Sequence, residues 1–204
     1  SWGRFEGLGK VRALKMIARK SLASVDESVA SRWADFLADM YEQGDEQLFL
    51  QQLASPHTSV RGIALASLCE HVAMTPTLYA QAMDFLKETA PSGKFFGIRQ
   101  RIIDGIVSNR ETALSNDQVR EWLRSDLPGV PAGAVALVRR TRNAEMIAEV
   151  IDLMRRTSNI DLQYDCISAI SAAERRSHGI TFESFRSDPN KYIRGAMGRH
   201  GIQE

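Results

Sequence analysis

The chain has 204 residues, 44% hydrophobic and 25% charged, which is enough apolar content to bury a core in one or two compact units. Its 26 Lys and Arg against 25 Asp and Glu leave a formal net charge of +1, so any attraction to nucleic acid or an anionic membrane must be local. No run approaches the ~20 apolar residues of a membrane helix, and the first residues lack the order of a signal peptide.

The first residues, with Gly3, Gly7 and Gly9, read as a flexible entry. A helical pattern then covers Gly9 to Leu22, with Lys10, Arg12, Lys15, Arg19 and Lys20 around an apolar stripe of Val11, Leu14 and Ile17. Ser24 with Glu27 matches a capping box ahead of a second helix through Val29, Trp33, Ala34 and Leu37. Glu46 to Leu53 is helical. The polar turn Ser55-Pro56-His57-Thr58 leads into the apolar helix SVRGIALASL. Thr75-Pro76 places proline at the first position of a helix over Leu78 to Leu86. A loop from Glu88 to Lys94 precedes Phe95-Phe96, two rings expected to pack under it or start the next helix, with an exposed partner contact as the alternative. Ser115 with Gln118 forms a second capping box before Val119 to Leu123, followed by helices from Val130, over Met146 to Met154, and from Leu162. Phe182 to Phe185, Asp188-Pro189 and a helix from Ile193 complete the pattern.

These segments repeat. With Val60 as offset zero, Ala64, Leu65 and Leu68 stand at offsets four, five and eight. Ile98, Val130 and Leu162 head the same series, as do Val29 before them and Ile193 after them, at spacings of 31, 38, 32, 32 and 31 residues. The loop at 88–94 accounts for the long interval. Offsets zero, four, five and eight share one face of a 3.6-residue helix. A further helix precedes each anchor, so the unit is a helix hairpin.

Paired helices at this period, with a second helix opening Val60-Arg61, Ile98-Arg99 or Ile193-Arg194 and continuing through residues such as Ala64 and Leu68, resemble HEAT repeats of the short type over nearly the whole chain. Pro131 and Gln163 replace the arginine in the fourth and fifth copies. The expected fold is an all-α, right-handed α-solenoid of about six HEAT-like hairpins, forming one repeat domain over residues 1–204. In that family, the resemblance implies, such an arginine commonly pairs with an acidic group near the inter-helix turn, and Asp188 is a local candidate for Arg194. The alternative is that Arg32, Arg61, Arg99 and Arg194 line a concave face and meet an anionic ligand.

No catalytic motif stands out. His57, His71, His178 and His200 lack metal-site spacing, and no CxxC, HxxxH or phosphate-cradling glycine loop occurs. Cys69 and Cys166 sit inside apolar helical patterns and read as reduced, packed thiols of a cytoplasmic protein. Asp35 and Asp39 at i, i+4 read as a solvated face rather than an acid-base pair. The basic cluster Arg139-Arg140-Thr141-Arg142 either complements a helix dipole or, with the first helix, tracks phosphates. Residues 1–28 carry six cations and three acids, a net of +3, so the rest sums to −2, low for a dedicated nucleic-acid binder.

The expected function is a non-catalytic binding or scaffolding module without cofactor or metal. Its partner is a protein segment or neighbouring domain, met by the surface of the second helices through Arg61, Arg99, Arg101, Arg139, Arg140 and Arg142. The alternative is a nucleic-acid-binding solenoid, and a weaker third reading is an enzyme with its site in a groove. Membrane insertion is not expected. Ser1 reads as a processed start or the later part of something longer, and Gly201-Ile202-Gln203-Glu204 as a C-terminal end.

Overall fold

Each helix follows from its own local signals. A computed structural model describes residues 2–109, 114–171, 174, 177 and 178, with the backbone alone for 2–10. Among them are ten α-helices and no strand: α1 (Trp2–Ser21), α2 (Glu27–Asp39), α3 (Glu46–Gln52), α4 (Thr58–His71), α5 (Pro76–Glu88), α6 (Phe96–Ser108), α7 (Asn116–Leu123), α8 (Val130–Thr141), α9 (Ile147–Arg156) and α10 (Ile160–Ala169). Four consecutive pairs pack on each other, α1 on α2, α3 on α4, α7 on α8 and α9 on α10. The copy headed by Ile193, with Asp188-Pro189, lies outside the described residues.

Several start signals act as expected. Thr75 Oγ1 accepts from the Leu78 amide at 3.1 Å with Pro76 behind it, and Ser115 exchanges bonds with Gln118 in a full capping box. Two expectations need correction. Asp26, not Ser24, caps α2, accepting from the amides of Ser28 and Val29, so Glu27 is released for another task. The backbone of α1 is already helical from Trp2, through Gly3, Gly7 and Gly9, where a flexible entry was expected.

The chain divides into two compact units, Ser1–Thr112 and Ala113–Glu204. In the first, α4 packs against α2, α3, α5 and α6. Ten of its fourteen residues are buried, which its sequence anticipates by being apolar or small on every side. Two glycines let neighbours close in. A Cβ on Gly62 would stand 2.6 Å from Ile98 Cγ2 and as close to the Phe85 ring, and one on Gly105 3.1 Å from the Glu70 amide nitrogen. In the second unit α8 packs on α7 and α10, and α9 on α10. Trp122 is wholly buried there, and Arg120 Nε donates to Glu149 Oε1 at 2.8 Å to tie α7 to α9.

Offsets five and eight are buried in every described copy: Ala34 and Leu37, Leu65 and Leu68, Ile103 and Ile106, Val135 and Val138, Ile167 and Ile170. Offset zero is not a constant core position. Val60 and Val130 are buried, Ile98 and Leu162 half-buried, and Val29 is exposed because α2 turns Ala30 inward instead. The stripe expected on α1 is also displaced. Lys15, Ala18 and Leu22 face inward while Leu14 and Ile17 stand open. Phe95 and Phe96 divide the two readings offered for them, the first half-buried edge-on against Phe85 at 6.1 Å and the second exposed.

Two buried side-chain atoms make no hydrogen bond among the described residues, Ser67 Oγ on α4 and Arg99 Nη2 on α6. Ser67→Ala should therefore raise stability by about 0.5–2 kcal/mol, through removed desolvation and better helix propensity, as read by the urea midpoint.

Candidate functional site

The polar residues of the first unit gather where α2, α4 and α6 begin. Glu27, freed from capping, reaches the first turn of α4: its Oε1 accepts from the Ser59 amide at 3.1 Å and from Ser59 Oγ at 2.8 Å. A carboxylate there complements the helix N-terminus. Its other oxygen accepts from Lys94 Nζ, just before α6, at 3.1 Å. Farther along, Arg101 of α6 donates to Asp35 Oδ1 of α2 at 2.9 Å and lies 3.9 Å from Asp39 Oδ1. These pairs join α2 to α6 and the turn before it, spanning α4.

Beneath them lies a groove of about 470 Å³, with Ser59, Ile63 and Ile98 among its lining and Glu27, Lys94, Asp35 and Arg101 along it. Three carboxylates face two cations. The Arg101 pair is exposed enough for water and salt to reach it, and such pairs are worth about 0–1 kcal/mol. An incoming group can exchange with it. The groove thus offers displaceable charges over an apolar floor and no arrangement of nucleophile and base.

Its two clearly perturbed carboxyls move in opposite directions. The amide and hydroxyl of Ser59, followed by Lys94, hold Glu27 down to about 2. Burial pushes Asp35 up, and Asp39 adds to this against the pull of Arg101. Glu27 contributes stability fully present above the ordinary glutamate value and lost as pH falls from about 4.5 toward 2. Asp35 works the other way, since the folded protein takes up its proton earlier. Glu27→Gln should therefore flatten the acid limb of the melting temperature between about pH 4.5 and pH 2, and a limb as steep as before would show that Glu27 contributes nothing.

The arginines expected to bind a partner have three different fates. Arg61 donates to the carbonyls of Ser55, at 2.9 Å, and Pro56 and to Thr58 Oγ1, closing its own inter-helix turn. Arg99 is buried and bonded to the Leu86 and Thr89 carbonyls, with no exposed face. The acid partner implied by the HEAT resemblance is absent at both described positions, and carbonyls take its place. Gln163 does the same in the fifth copy, donating to the Thr157 carbonyl at 2.8 Å, six residues back as Ser55 is from Arg61. Arg101 alone of the first three reaches the groove.

In the second unit Arg139, Arg140 and Arg142 are exposed at the end of α8, where cations complement the dipole. Arg142 itself adopts a left-handed conformation, φ 52°. On the first helix, Lys15 and Arg19 are engaged by Asp45, and Lys15 is buried. Among the described residues no three His, Cys, Asp or Glu side chains are grouped to hold a metal ion. The Cys69 and Cys166 thiols are buried in separate units and pushed up to about 12 by that burial, which removes them as thiolate nucleophiles at neutral pH. No helix among the described residues is long and apolar enough to cross a membrane.

Glu27, Asp35 and Asp39 were not anticipated as site residues. Their signal was faint: a glutamate after a competing cap, Asp26, and two aspartates one turn apart. No family model matches the chain, and no curated protein or solved structure matches it either.

Proposed function

We propose that the protein is a non-catalytic binding module, a HEAT-like right-handed α-solenoid of about six hairpins, that holds a segment of a partner protein in the groove of its first unit. The observation that carries this reading is the groove itself, formed by α2, α4 and α6 with an apolar floor and exchangeable ion pairs. Peptide recognition uses those features, an apolar contact for area and charges for register. The unbridged thiols fit a cytoplasmic setting.

A photo-crosslinking residue placed at Ser31, which lines the groove, tests this in cells. Protein adducts from Ser31 but not from exposed Arg155 support it. The contrary result is DNA or RNA affinity that falls steeply with salt and disappears when Arg139, Arg140 and Arg142 are replaced by Gln, with no adduct at Ser31.

A further inference from the structure

We infer that the partner segment presents an arginine, which takes the place of Arg101 between Asp35 and Asp39. The inference rests on the binding-module reading above and gives the groove a ligand chemistry. The site already holds a guanidinium, and that guanidinium comes from α6 rather than from the helix that carries the acids. The fit between group and site is thus visible within the chain.

The arrangement is also incomplete. Arg101 makes one short contact, 2.9 Å to Asp35 Oδ1, while Asp39 stands at 3.9 Å and three-quarters exposed. Among the described residues Asp35 Oδ2 accepts no hydrogen bond, so a guanidinium arriving from solvent finds a carboxylate oxygen still open to a two-bonded fork. Lysine, a point charge, gains less from it. In the groove's lining Glu27 and Asp35 balance Lys94 and Arg101, and Asp39, at its edge beside Arg101, adds a third carboxylate that favours a cationic over an anionic segment there. Released from Asp35, Arg101 becomes free to pair with a carbonyl or carboxylate of the bound chain. The apolar floor of Ile63 and Ile98 receives the residue beside the arginine. Arg101 therefore acts as an internal stand-in for the ligand, and removing it strengthens binding.

The test uses the full chain and short fluorescent peptides of Gly-Ser-Leu-Arg repeats, with Lys and Glu replacing Arg as matched probes, read by anisotropy at low salt. The expected result is binding of the Arg peptide ahead of the Lys peptide. Arg101→Ala should tighten it by about fivefold, the worth of an exposed ion pair, and Asp35→Asn with Asp39→Asn should abolish it. Circular dichroism confirms that each variant is folded. Weaker binding in Arg101→Ala, or preference for the Glu peptide, overturns the inference. In the second case the groove still binds protein segments, now through Lys94 and Arg101. If no peptide binds and Ser31 captures no protein, the inference and the function it rests on fall together.

Discussion

Asp45→Ala should destabilise the first unit by about 3–5 kcal/mol, a large part of the ~5–15 kcal/mol that a domain of this kind holds in total. Asp45 and Lys15 are both buried, and their charged atoms are 3.1 Å apart. Asp45 also accepts from Arg19 at 2.6 Å and from the Glu42 amide at 3.1 Å, while Lys15 reaches Glu42 as well. Burial alone pushes the Asp45 carboxyl up, but the bonds from Lys15, Glu42 and Arg19 outweigh it and hold it below the ordinary aspartate value. Taking the carboxylate away leaves the Lys15 ammonium desolvated with only Glu42, which is largely exposed. The loss should appear as a lower urea midpoint. Asp45→Asn, which keeps the shape, should recover little of it, and a change below about 1 kcal/mol would mean that Lys15 finds water.

Leu68→Asp should be the more damaging substitution, about 4 kcal/mol or more, because two losses add. Leu68 is fully buried at offset eight of α4, so cutting back its side chain leaves a cavity worth about 2–5 kcal/mol. The aspartate that replaces it would be desolvated at a fully buried position. Hydrogen exchange measured by mass spectrometry should show protection lost across α2, α4 and α6 together, since α4 packs against both. Protection retained in α2 and α6 would show that α4 unfolds alone.

The all-helical fold was legible because offsets five and eight hold apolar residues in each described copy, and a 3.6-residue period has few other readings. Offset zero misled. Whether Val29 or Ala30 turns inward depends on which helix lies next to α2, and nothing local to that segment records it. Arg61 and Gln163 show a second limit: the second and fifth copies share a donor to the carbonyl six residues back, and two unlike side chains perform that task. The groove was the least legible part. Asp35 and Arg101 are 66 residues apart and meet because Gly62 of α4 and Gly105 of α6 let α6 close against α4, so that α2 and α6 face each other across it. A pairing of that range leaves no period in the sequence.

A helix buried at ten of its fourteen residues also imposes an order of events on synthesis. α4 is complete at His71, but α6, which covers it, ends only at Ser108. At roughly 5–20 residues per second on a ribosome, those 37 residues take about 2–7 s, during which a mostly buried helix waits with one flank uncovered. The nascent chain is thus most prone to association, and most in need of a chaperone, in the interval before residue 108 emerges.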